Sequence, residues 1–137
     1  MSALPESARE LIESGRLAHC VTLNRDGSPQ VSAVWVGLDG DDLVTAHLYE
    51  HLKVRNLRRD PRIVLSFESE ERNELGMQHS LVVHGTATVT EGGAPELLRR
   101  LGVVYTGGEF PLPPDPPPGY VLRISVDRVT GIGPWRG

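Results

Sequence analysis

Leu4, Ala8, Leu11 and Ile12 recur at helical spacing, so residues 4 to 14 predict an amphipathic helix with Ser2 as N-cap, Pro5 and Glu6 in its first turn and Gly15 as its stop. The period then changes to two. Leu17, His19, Val21 and Leu23 alternate with smaller residues up to Asn24-Arg25-Asp26-Gly27, whose Asp-Gly step signals a hairpin. The return strand runs from Gln30 to Leu38, and Asp39-Gly40-Asp41 turns the chain into a third strand, Asp42 to His47. These three strands are expected to form a meander.

A second, short helix is predicted from about residue 51 to 59, closed by Asp60-Pro61. Arg62 to Glu68 alternates again, with Ile63, Leu65 and Phe67 on one face, and a polar acidic stretch follows from Glu70 to Gln78. The longest strand signal is Ser80 to Thr90. Pro95 opens a third helix whose apolar face is Leu97, Leu98, Leu101, Val104 and Tyr105. Residues 107 to 119 are rich in Gly and Pro and so cannot be a central strand; they read as an ordered surface excursion or a loop embracing a partner. A last strand, Tyr120 to Val129, carries Leu122, Ile124 and Val126 inward before Gly131-Ile132-Gly133-Pro134-Trp135. Six short strands with few helices favour a small β-barrel over a doubly wound sheet. The expected fold is mainly β with short helices (α+β), one domain over residues 1-137.

Composition narrows the function classes. With 137 residues, 39% hydrophobic and 23% charged, the chain is of ordinary globular type. No apolar run approaches the roughly 20 residues of a membrane span, and Met1 to Glu6 lacks the pattern of a signal peptide, so a cytoplasmic protein with no membrane partner is expected. Cys20 is the sole cysteine, which excludes an internal disulfide and a cysteine-cluster metal site. The net charge of −4 argues against a nucleic-acid partner.

Lys53 is the only lysine, and every other one of the 14 basic residues is arginine. It heads the densest positive cluster, Lys53-Val54-Arg55-Asn56-Leu57-Arg58-Arg59-Asp60-Pro61-Arg62. An ammonium on a flexible stem suits phosphate as a point contact, while a solvated helix face is the plainer account of such a run. His47-Leu48-Tyr49-Glu50-His51 matches the H-x-x-E-H arrangement of inverted zinc peptidases, but His47 ends a strand and only His51 is helical, so no metal is expected. No G-x-S-x-G, G-x-G-x-x-G or Walker loop occurs. Trp35 and Trp135 are read either as packing residues or as walls beside a planar ligand.

The N-terminal helix, the strands carrying Asp-Gly-Ser-Pro-Gln-Val-Ser, the Lys53 to Arg62 run, Val82-Val83-His84-Gly85-Thr86-Ala87 and the Gly-Ile-Gly-Pro-Trp ending together resemble the pyridoxamine 5′-phosphate oxidase-like split β-barrel superfamily. Within it the chain looks most like the deazaflavin-dependent actinobacterial branch. The resemblance implies an FMN-binding-like split barrel that forms a homodimer, with coenzyme F420, or alternatively FMN, in a groove between protomers. It implies that Lys53 meets the cofactor phosphate with Arg55 and Asn56 beside it, that Thr45, Ala46 and His47 line the ring, and that Ser32 to Trp35, Val34 included, border the ring system. Where relatives often carry arginine two positions before the lysine, this chain has His51, which makes the phosphate contact weaker or pH-dependent.

The function so implied is an oxidoreductase transferring hydride between reduced coenzyme F420 and a conjugated small-molecule substrate. An FMN-dependent oxidase or reductase of the same barrel, or a non-catalytic flavin, deazaflavin or haem carrier, are the alternatives. Pyridoxamine phosphate oxidation itself is disfavoured, because after Arg128 only Arg136 is basic. No residue compels an acid-base assignment, and His79 and His84 are the nearest guesses at a proton donor. Arg58 and Arg59 are weighed equally as contacts for the anionic tail of coenzyme F420 and as surface residues, and Lys53 is expected to be an exposed helical side chain.

Overall fold

The computed structural model describes residues 4–135. Its elements follow in the order α1 (Glu6–Glu13), β1 (Ala18–Leu23), β2 (Pro29–Val34), β3 (Gly37–Asp39), β4 (Asp42–His47), α2 (Leu52–Arg59), β5 (Arg62–Arg72), β6 (Gln78–Glu91), α3 (Ala94–Thr106) and β7 (Tyr120–Ile132). The strands form one 7-stranded antiparallel sheet ordered β2-β1-β5-β6-β7-β4-β3. β2 and β3 stand at opposite ends of that order, yet only Trp35 and Val36 separate them in the chain. A link that short spans at most roughly 11 Å, so the sheet must curl until its two edges nearly meet. The result is a split β-barrel with three short helices, as expected for the fold class.

The expected meander is not formed. The strand anticipated from Gln30 to Leu38 breaks after Val34, so that its first part pairs with β1 and its second with β4, and the strand count rises from six to seven. Helix α3 supplies the reason. The Val36 N–H donates to the Tyr105 hydroxyl at 2.9 Å, and that hydroxyl in turn donates to Arg16 O at 2.9 Å. Backbone polar groups that a ladder would have satisfied are thus satisfied by a side chain. Gly37 lets α3 lie close, since a Cβ there would meet Arg100 Nη2 and Leu101 Cδ2, each at 2.8 Å.

The period of β1 was legible, but its sense is the reverse of what bulk suggests. Ala18, Cys20 and Thr22 face the barrel interior, and Leu17, His19, Val21 and Leu23 face outward. Small residues line this stretch because α2 packs over it: Val54 and Leu57 are buried, and Asn56 Nδ2 donates to Thr22 Oγ1 at 3.1 Å. The core is otherwise built from alternating positions of β4 to β7, including Leu43, Leu65, Phe67, Leu81, Leu122 and Ile124.

Other boundaries shift modestly. α1 begins at Glu6 with Pro5 at the N-cap, and Ser2 lies outside the described residues. The acidic stretch after Glu68 begins as strand, because β5 continues to Arg72, and then turns at Asn73 to Met77. On α3, Leu101 is buried as expected, whereas Val104 is exposed; the helix instead buries Ala94, Pro95 and Gly102. Gly102 meets the Phe110 side chain, which a Cβ would displace, so the Pro-rich segment is seated against α3 at this point. Trp135 closes the core, its indole N–H donating to Ser80 O at 2.8 Å.

Candidate functional site

The site grows from the end of β4 and the start of α2. Thr45 and His47 lie on the same inward face of β4 as Leu43, and both are buried. Thr45 Oγ1 and His47 Nε2 are 2.9 Å apart. Burial, reinforced by the positive charges of Lys53 and His51, pushes the His47 pKa down to about 3, so the ring is neutral at physiological pH. Three residues after Leu48 the chain enters α2, whose N-cap residue His51 gives no side-chain cap. Consequently the Leu52 and Lys53 N–H groups have no acceptor among the described residues, leaving the positive end of the helix bare.

Lys53 points into this corner rather than into solvent. Its relative exposure is 9%, which corrects the expectation of an exposed helical lysine. Burial lowers its pKa, with Cys20 opposing the shift. Cys20 is no counterion, because burial raises its thiol to about 11. No hydrogen bond or ion pair reaches Lys53 from the described residues, and the nearest groups that perturb the corner, His47 and His51, add no negative charge. A buried ammonium without a partner is unfavourable, and the arrangement calls for an anion. Ser32, opposite Cys20 in the β1–β2 ladder, contributes a buried hydroxyl that likewise has no partner.

Beside this corner opens a cleft of ≈ 240 Å³. Val34, Trp35, Ala46 and His47 line it, with Leu98 and Phe110 opposite. Trp35 is held in place by stacking on Tyr105, with ring centroids 5.3 Å apart and planes at 15°, and by the edge of Phe110 at 4.9 Å. Of the residues anticipated around a ring, Val34, Trp35, Ala46 and His47 line this cleft, whereas Thr45 and Ser32 are not among its lining residues. Tyr105, Leu98 and Phe110 were missed as site residues. In a chain with only 5% aromatics, the presence of Tyr105 and Phe110 in one short stretch was the available signal.

The rest of the basic run points elsewhere. Arg55 and Asn56 border a separate groove of ≈ 580 Å³ beside the β1–β2 turn, together with Asn24, Arg25 and Arg59. The Asn56 amide is engaged inside the chain, donating to Thr22 and, at 3.0 Å, to Asn24 Oδ1. Arg58 pairs with Glu50 at 2.5 Å and Glu91 at 3.2 Å, and Arg59 donates to Leu23 O and Asn56. The two arginines considered for an anionic tail are thus held by the protein, whereas the Arg25 and Arg55 side chains carry no hydrogen bond or ion pair among the described residues. Within H-x-x-E-H the His47 and His51 rings stand 6.2 Å apart, edge to face, while His47 meets Thr45 and Glu50 turns to Arg58. Of the guessed proton donors, His84 hydrogen bonds Thr130 at 3.1 Å and borders a different groove with Val64 and Arg128, and His79 packs against Trp135.

Comparison with known proteins places this geometry in context. A model of the pyridoxamine 5′-phosphate oxidase family matches residues 4–133. Among solved structures, an F420 reductase is similar at 25% identity with a TM-score of 0.73, over 92% of this chain and 98% of that one. A conserved hypothetical protein from Mycobacterium tuberculosis is similar at 23% identity and TM-score 0.72, over 96% of this chain and 84% of its own. An FAD-binding protein from Mesorhizobium loti shares the fold at 19% identity and TM-score 0.63, covering 89% of this chain and 88% of that one. A comparison with curated proteins finds no match. No helix among the described residues is long and apolar enough to cross a membrane. The match over residues 4–133, on a split barrel with the expected order of parts, carries the conclusion that this chain belongs to the pyridoxamine 5′-phosphate oxidase family.

Proposed function

We propose that the protein is an oxidoreductase that binds a phosphate-bearing flavin-type cofactor, coenzyme F420 in preference to FMN, and exchanges hydride with a conjugated small molecule. The observation that carries this reading is Lys53: a buried, unpaired ammonium at the bare N-terminus of α2, directly beside an aromatic-walled cleft. Phosphate suits that corner because an ammonium and the unbonded N–H groups of Leu52 and Lys53 belong to the same first turn of α2. A planar ring fits the cleft, whose walls are Val34, Trp35, Ala46, His47 and Phe110. When bound, such a cofactor supplies hydride transfer. The protein's part is to hold the phosphate, orient the ring against Trp35 and exclude water with Leu98 and Phe110.

Preference for coenzyme F420 rests on the similar F420 reductase and on Arg25 and Arg55, which are free to meet an anionic tail at the second groove. A homodimer is part of the same proposal. Val31, Val21 and Val64 stand side by side across β2, β1 and β5 on the outer face, and Val31 is 58% exposed. An apolar row of that kind suits a second copy of the chain.

The test is a titration of purified apo-protein with coenzyme F420 and with FMN at low and high salt. Coenzyme F420 is expected to bind more tightly, with the margin shrinking as salt screens Arg25 and Arg55. Tight FMN binding without measurable affinity for coenzyme F420 would keep the class of reaction and overturn the choice of cofactor. Hydride transfer to a quinone-type acceptor under reduced coenzyme F420 distinguishes an enzyme from a carrier.

A further inference from the structure

His47 is a buried imidazole at the wall of the cleft. A buried imidazole must satisfy two nitrogens with different needs, one a donor and one an acceptor. Nε2 meets Thr45 Oγ1 at 2.9 Å, and the Thr45 hydroxyl, itself 1% exposed, has no other partner among the described residues. If Nε2 carried the proton, the Thr45 hydroxyl proton would be buried without an acceptor. That arrangement is unfavourable, so the hydroxyl donates to Nε2 and the ring proton sits on Nδ1. Nδ1 then has no acceptor among the described residues, on a side chain that lines the cleft beside Trp35.

We propose that Thr45 holds His47 in its neutral, Nδ1-protonated tautomer, and that this N–H is a specificity-determining hydrogen-bond donor to a carbonyl acceptor of the molecule seated in the cleft. The second half rests on the cofactor reading given above. The charged and titratable groups facing His47 agree with a neutral ring: Lys53 on α2 and His51 at its cap disfavour a second proton, and Tyr120 lies across from it on β7. His47 therefore donates a hydrogen bond without serving as the acid. Aimed at a ring carbonyl, such a donor distinguishes cofactors and acceptors that carry an oxygen at that point from those that do not.

Long-range proton–nitrogen correlation spectra of the ¹⁵N-labelled full-length apo-protein test the first half without any ligand. Nδ1 is expected to be protonated, with no titration from about pH 5 to about pH 8. Thr45→Val should mix the two tautomers while leaving the fold unchanged. An Nε2–H ring or an imidazolium in the wild type would overturn the proposal even if coenzyme F420 binds. For the second half, coenzyme F420 and FMN are titrated into His47→Leu and His47→Asn, the latter placing an amide N–H near the Nδ1 position. Roughly tenfold weaker binding in the leucine variant, mostly recovered in the asparagine variant, is expected from loss and return of one hydrogen bond. Equal affinities in both variants and the wild type would overturn the donor role. Failure of both cofactors to bind the wild type would overturn the cofactor reading and the donor role with it, and leave the tautomer to the spectra.

Discussion

Tyr105 and Val36 lie 69 residues apart in the chain, yet the tyrosine hydroxyl accepts the Val36 N–H at 2.9 Å where a continuous strand would have used a neighbouring carbonyl. The contact divides the sheet's edge into β2 and β3 and brings Trp35, the residue at the break, against the ring of Tyr105. One side chain thereby links the split of the barrel to the wall of the cleft.

Tyr105→Phe should keep the aromatic stack and lose the hydroxyl's contacts to Val36 and Arg16. The Val36 N–H would be left without an acceptor in a buried position, a change costing about 1–3 kcal/mol. Urea denaturation should show a lower midpoint with an unchanged slope. A variant as stable as the wild type would mean that the break is set by other contacts.

This break could not be read from the sequence. Gln30 to Leu38 is a plausible strand in isolation, and the partner that interrupts it lies on α3. Orientation was similarly hidden. The alternation of residues 17 to 23 shows which side chains share a face, but not which face is covered, and the covering element is α2. What was legible was local: the hairpin at Asp26-Gly27, where Gly27 has φ 86°, the stop at Gly15, where φ is 82°, and the limits of α2. The basic run was visible as a cluster, yet its division into one buried lysine, three engaged arginines and one arginine with a free side chain depends on the helix's orientation against the barrel.

Acid should weaken the fold through His47. Its pKa is lowered from 6.5 in the unfolded chain to about 3 in the folded one, so between those values the unfolded state binds the extra proton. Stability from this group is therefore complete above about pH 6.5 and is lost as pH falls toward 3. The slope approaches about 1.4 kcal/mol per pH unit within the window. His51, also shifted down by burial, acts in the same sense below its ordinary 6.5, whereas the lowered pKa of Lys53 acts in an alkaline window that begins below its ordinary 10.5. Asp60, held at about 2 by its hydrogen bond to Arg62, adds its own loss only below its ordinary 3.8. Urea midpoints measured across this range should fall less steeply for His47→Leu than for the wild type. Parallel curves would show that the ring's burial does not control acid stability.

Val31→Asp places a charge on the outward row while sparing the core, because Val31 is 58% exposed. If this face joins two copies, the variant should run as a folded monomer in light scattering at micromolar concentration, with cofactor affinity reduced. A wild-type monomer that binds cofactor fully would remove the dimer from the proposal.

Lys53 gives the sharpest separation of stability from function. Lys53→Met retains the apolar stem and removes a buried ammonium that has no partner, so the apo-protein should be as stable as the wild type or more so. Cofactor affinity should move the other way. A charge-assisted contact to phosphate is worth about 1.5–3 kcal/mol, so binding should weaken roughly ten- to a hundredfold. Arginine at this position should restore only part of the loss, since its planar fork needs a wider approach than the corner between Cys20 and His47 provides. Arg9 is a poor control because it donates to Gly40 O at 3.0 Å. Arg99→Ala serves better, its side chain being exposed and without a hydrogen bond or ion pair among the described residues. Calorimetric titration of the three variants beside thermal melts of their apo-forms makes the comparison. If Lys53→Met lowers apo stability while leaving affinity like that of Arg99→Ala, the lysine belongs to the architecture of the barrel and the anion site is elsewhere.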